Sequence, residues 1–125
     1  MTFRVSWETF KGKRYLFVNS ANGLEQDMLA ALEAAKQEML KLPPGASLLI
    51  LMDMSHTSPA ASVNAKGREL TAAAKAHGIP DCPTAMVGFS GVQKGITQMF
   101  ISLRVVRNLR LFDHLDEAKE WLVAQ

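Results

Sequence analysis

The sequence predicts an α/β domain with a mixed sheet, in the element order ββαβαβαβα, and three observations predict it. Two β-prone stretches near the start flank Lys11-Gly12-Lys13, a short hairpin connection. The run SLLILMD is apolar on both faces over residues 48–52, the mark of a strand covered on both sides. Beyond it, β-prone and helix-periodic segments alternate, which means crossover connections and a mostly parallel sheet.

The first strand is FRVSW, alternating apolar and polar over residues 3–7, and the second is the aromatic and β-branched YLFV at 15–18. They are expected to pair antiparallel as a hairpin at one sheet edge. Asn22, followed three residues later by Glu25, reads as a capping pair that opens a helix. Leu24, Met28, Ala31, Leu32, Ala35 and Met39 then recur at helical spacing and predict a core-facing stripe. Pro43-Pro44-Gly45 ends that helix. The strand at 48–52 follows and stops at Asp53.

Ser58-Pro59 sets an N-cap before a proline at the first helical position. That helix is expected to run to about His77 and stop at Gly78. It is alanine-rich, with Val63 and Leu70 as its large apolar side chains, and Asn64, Lys66, Arg68, Glu69 and Lys75 are expected in water. A strand at 84–89 follows. Val92, Ile96, Met99, Phe100, Leu103 and Val106 form the next helical stripe, and residues 108–112 a short last strand. Asp113 reads as the cap of a final helix whose first turn holds Asp116 and Glu117, favourable near a positive helix end. Leu115, Ala118 and Leu122 are expected to face inward, with Trp121 beside them.

Size and composition bound the function. The chain has 125 residues, a length that asks for one domain. Apolar residues make up 48%, enough for a core, and the net charge of +2 implies no strong attraction to nucleic acid or a membrane surface. The apolar run at 48–52 is too short to span a bilayer, so no transmembrane segment is expected. The opening MTFRVSWETF lacks the apolar stretch of a signal peptide. Cys82 is the single cysteine, which excludes an internal disulfide and fits a reducing, cytoplasmic location.

The stretch MVGFSGVQKG, residues 86–95, carries the site question. A strand runs into a small-residue turn with Ser90 and then into a helix with Lys94. In open α/β sheets ligands gather outside the carboxyl ends of the strands, and free N–H groups at a helix start attract anions. Ser90, Gly91 and Lys94 are therefore candidates for an anion site, with Asp53 beside them. The alternative is structural: Ser90 caps the helix, while Gly88 and Gly91 let the turn close. Asp53 likewise either positions a ligand or holds the backbone N–H groups of the loop 54–58, and the second role is the favoured one.

Stricter motifs do not fit. A P-loop needs Gly-Lys-Ser/Thr after its spacer, but Lys94 precedes Gly95 and Ile96 follows. A nucleophile elbow needs a second glycine where Val92 stands. The downstream histidine, His114, adjoins Asp113, a poor arrangement for an acid and a base that must orient each other. A Ser90-dependent hydrolase is the enzymatic alternative to a non-enzymatic domain. Asp53, His56, Asp113 and His114 should share one sheet end, with His77 and Cys82 at the other, but no zinc-ligand spacing joins them. No metal or cofactor is expected.

Leu51-Met52-Asp53-Met54-Ser55, the stretch from Met86 to Lys94 and the stretch from Phe112 to Leu122 carry a resemblance over nearly the whole chain. With the element order, the chain resembles the STAS-like superfamily, the SpoIIAA-like fold of anti-sigma-factor antagonists. Within it, the chain is most similar to a bacterial branch described as STAS-like and CRAL-TRIO-like, the latter a lipid-binding fold. The resemblance implies a single STAS-like domain, with an antiparallel edge hairpin and a parallel remainder covered by helices. In those antagonists a serine in an Asp-Ser-Ser-Gly segment is phosphorylated and switches partner binding. Counted without gaps from Asp53, that serine is Ser62, but Ala61, Val63 and Asn64 stand where the aspartate, second serine and glycine belong.

The helix at 92–107 carries the interaction reading. Ile101 and Val105, four apart, lie off its core stripe. A helix apolar on more than one side is either deeply buried or covers something else: a second subunit, a protein partner or a lipid chain. Arg104, Arg107 and Arg110 add a basic cluster, which either complements the helix C-terminus or makes an apolar-plus-basic surface. The first expectation is a non-enzymatic regulatory domain, self-associating or partner-binding through Ile101, Val105, Arg104 and Arg107. The second is a binder of a lipid or small anionic ligand, with Ser90, Gly91 and Lys94 meeting the head.

Overall fold

The N-terminal hairpin closes through Lys11 and Gly12, both at positive φ (52° and 80°). Positive φ at both central residues is the mirror-image turn whose twist matches paired strands, and glycine takes it without a Cβ penalty. The computed structural model to which this hairpin belongs describes residues 4–57, 61–79, 82–88 and 109–125. The strands on either side are β1 (Arg4–Phe10) and β2 (Lys13–Asn19), paired antiparallel from Arg4↔Asn19 to Phe10↔Lys13. Both are longer than the alternating stretches that announce them, because the tight turn carries the ladder to Phe10 and Lys13.

The remaining elements are α1 (Glu25–Leu40), β3 (Ile50–Asp53), α2 (Ala61–Ala76), β4 (Thr84–Val87), β5 (Leu109–Phe112) and α3 (Leu115–Val123). The strands form one sheet in the order β1-β2-β3-β4-β5. β2 through β5 are parallel neighbours and β1 is antiparallel to β2. The fold is thus α/β with one mixed sheet, its antiparallel hairpin at one edge. The helix expected at 92–107 lies outside the described residues.

Each sheet face carries its own core. On one face Leu16, Val18, Ile50 and Met52 meet Met28, Ala31, Leu32, Ala35 and Met39 of α1 and Val63, Leu70 and Ala74 of α2. On the other, Tyr15, Leu51, Ala85 and Val87 meet Ala118 and Leu122 of α3. This explains the doubly apolar run before Asp53: Ile50 and Met52 point to one layer and Leu51 to the other. Burying one such large side chain stabilises by about 1.5–3 kcal/mol. Trp121 flanks the second layer, its ring 5.7 Å from that of Phe112.

Several expected details are corrected. Leu24 is 66% exposed and takes no part in the core stripe of α1, which begins at Met28. The helix is capped at Leu24 rather than Asn22, and the Leu24 N–H donates to the Asp27 carboxylate at 3.1 Å. Asn22 instead sits at φ 61° in the preceding turn. The reciprocal bond of a capping pair is therefore made further along the chain than the sequence announces. The cap of α3 is His114 rather than Asp113. Lys66 is only partly in water: its ammonium lies 2.7 Å from both Glu33 of α1 and Glu69 of α2. Lys36 extends the network to Glu69 at 3.5 Å, so the two helices are laced by charge where their alanine-rich faces pack.

Candidate functional site

The carboxyl ends of β2, β3 and β4 lie at one rim, because these strands are parallel and adjacent. The backbone ladder continues past the strands: Ser20 N–H donates to Asp53 C=O at 2.9 Å and Met54 N–H to Val87 C=O at 2.9 Å. Asn22 N–H reaches Ser55 C=O at 2.8 Å. The loop after β3 is thus stitched between the loop after β2 and the end of β4.

Asp53 organises that loop. Its Oδ1 accepts the Ser55 N–H at 3.0 Å and the Ser55 hydroxyl at 2.6 Å. An aspartate that bonds its own chain two residues on makes a turn from a side chain. The Ser55 hydroxyl points its proton at this carboxylate, and the pair of bonds fixes the loop. Thr57 adds a second brace, its hydroxyl donating to Met54 C=O at 2.6 Å. His56, between them, is exposed and sits at φ 58°. Of the two roles weighed for Asp53, the loop-holding one is what its bonds describe.

Gly88 closes the rim from the β4 side. Its φ is +102°, and a Cβ built there would lie 2.6 Å from the Ser55 hydroxyl oxygen and closer still to the Ser55 backbone nitrogen. Position 88 therefore demands glycine twice, for its conformation and for the close approach of another backbone. Sequence reasoning assigned Gly88 to a closing turn but missed Ser55 as its partner. The available signal was the Asp-x-Ser spacing directly after a buried strand.

The other site candidates fall in different places. Ser62 is an exposed residue of α2. Ser90, Gly91, Lys94, Ile101, Arg104, Val105 and Arg107 lie outside the described residues. Asp113 and His114 are exposed directly after β5, which runs parallel to β4, so they belong to the same sheet end as Asp53 and His56. His77 is at the opposite end, its Nε2 2.6 Å from Leu42 C=O. Cys82 precedes β4 at that same end. Among the described residues no three His, Cys, Asp or Glu side chains gather to hold a metal ion, and no helix is long and apolar enough to cross a membrane.

Comparison with known proteins places the architecture. No family model matches the chain. No curated protein matches it significantly. A solved structure does: an uncharacterised protein of the DUF3478 family with a SpoIIAA-like fold, from Shewanella loihica PV-4. The two superpose with a TM-score of 0.68 at 13% sequence identity, covering 96% of this chain and 93% of that one. At that identity the likeness is one of fold, and the fold is SpoIIAA-like, as the sequence resemblance implies.

Proposed function

We propose that this SpoIIAA-like chain is a non-enzymatic regulatory or interaction domain. It associates with itself or with a protein partner through the segment 92–107, where Ile101 and Val105 make the apolar contact and Arg104 and Arg107 the charged one. The observation that carries the reading is the fold, which is often met in protein-interacting domains. The Asp53 bonds support it, because the acidic side chain at the strand ends is engaged in building its own loop. Ser62, exposed on α2, is the residue at which phosphorylation would regulate such binding.

A second reading rests on Gly88. Its left-handed turn stands at the carboxyl end of β4, the end at which parallel sheets take ligands. There a small anion or the anionic head of a lipid would meet Ser90, Gly91 and Lys94, in the CRAL-TRIO-like manner.

Light scattering on chromatographed protein tests the first reading. The wild type is expected as a dimer or complex that Ile101→Asp with Val105→Asp dissociates. A monomer unchanged by the pair of substitutions contradicts it. Turnover of esterase or phosphatase substrates that is lost in Ser90→Ala would contradict the non-enzymatic part.

A further inference from the structure

We propose that the outer edge of β1 is a strand-pairing surface for a second copy of this chain. Among the described residues β1 is the edge of the sheet, with β2 on one side. Which of its backbone groups face outward follows from the turn. A two-residue loop makes Phe10 and Lys13 the hydrogen-bonded closing pair. Alternation along the ladder then directs the N–H and C=O of Ser6 and Glu8 toward β2, and those of Val5, Trp7 and Thr9 outward.

This edge lacks most of the usual protection. Edge strands are commonly kept short, bulged, or marked with charged side chains, lysine above all, or proline to prevent pairing. β1 is seven residues long, RVSWETF, without lysine or proline, its charges being Arg4 and Glu8. Its register with β2 is unbroken from Arg4 to Phe10, so no bulge twists the edge away. One side of the strand is also held firm. The Trp7 indole N–H donates to Glu38 of α1 at 3.0 Å, and the Arg14 guanidinium stacks 4.1 Å from the Trp7 ring. The edge is thus a rigid template.

The occupant is a second copy because the strand is complementary to itself. In an antiparallel pair with its two-fold axis at Trp7, Val5 faces Thr9 of the second copy, Trp7 faces Trp7, and Thr9 faces Val5. Every outward backbone group of these residues is then satisfied, giving about six interchain hydrogen bonds. The same register sets Glu8 opposite Ser6 of the second copy, a carboxylate against a hydroxyl donor. Sliding the pairing two residues toward the hairpin turn would set Glu8 against Glu8, and like charges directly opposite are unfavourable. Charge placement and hydrogen-bond count therefore select one register. The inference does not rest on the segment 92–107. If β1 carries self-association, that segment is left for a different partner.

The test is a charge exchange read by sedimentation over a concentration series. Ser6→Glu places carboxylates opposite Glu8 and should raise the dimer dissociation constant about fivefold or more. Adding Glu8→Lys should restore it, because the introduced carboxylate then faces an introduced ammonium across the two-fold axis. Thr9→Pro, which removes an outward N–H and no bond to β2, should dissociate the dimer with the fold intact by circular dichroism. Hydrogen exchange gives the independent reading: Val5, Trp7 and Thr9 amides should gain protection with concentration, while Ser6 and Glu8 stay protected throughout. A monomer at every concentration overturns the proposal. So does a dimer that survives Ser6→Glu and Thr9→Pro, and one lost only in Ile101→Asp with Val105→Asp would place self-association on the segment 92–107 instead.

Discussion

Gly88 and Ser55 share one space: the position a side chain would take on Gly88 is filled by the Ser55 backbone and hydroxyl. The contact joins the ends of β3 and β4 and sets the shape of the rim. Gly88→Ala should therefore cost about 2–4 kcal/mol, from the left-handed φ and the displaced loop together. Urea denaturation checks it. A loss below about 1 kcal/mol would show that the loop yields.

Asp53 holds the other side of that contact. Asp53→Ala removes the acceptor for both Ser55 bonds and should destabilise the chain by about 1–3 kcal/mol. Asp53→Asn keeps an acceptor oxygen and should cost less. Equal losses in the two variants, read from urea midpoints, would mean that the charge, not the loop geometry, carries the effect.

The α1–α2 charge network gives the acid behaviour. Hydrogen bonds from Lys66 and Gln37 hold the Glu33 carboxyl below its ordinary 4.5, at about 2. Glu69 is lowered as well, chiefly by Lys66. A folded-state value below the unfolded one adds stability that is complete above the unfolded value and lost as pH falls through the folded one. Stability should thus decline from about pH 4.5 toward pH 2. Lys66→Met should flatten that decline, as should high salt, because the pairs are exposed. Melting temperatures across the acid range read the effect.

Two leucines separate periodicity from burial. Leu24 is 66% exposed, whereas Leu122 is fully buried against the sheet. Leu24→Ser should change stability by less than about 0.5 kcal/mol. Leu122→Ala should cost about 2–5 kcal/mol. Denaturation midpoints of the two variants compare them directly.

The same pair marks how much of the fold was legible. Period-two and helical patterns located the hairpin, the doubly covered strand, the stripe from Met28 to Met39 and the final helix, because burial selects residue type at each position. They failed at ends. Leu24 continues the helical spacing, but as the cap it stands outside the core, and spacing alone does not say where a helix begins. Lys66 was misread because a charged residue on a helix face signals water unless its partners on a neighbouring helix are known. At the site, the turn chemistry of Asp53 was readable from its position after an apolar strand. Its closure against Gly88 was not, since that contact joins loops more than thirty residues apart in the chain.

Native mass spectrometry of the purified chain tests the interaction reading most directly, because it reports assembly and bound small molecules together. The account predicts protein-only assemblies, a dimer of the 13.7 kDa chain or a complex with a protein partner, without added small-molecule mass. A single chain carrying a lipid-sized mass that is lost on denaturation would contradict it.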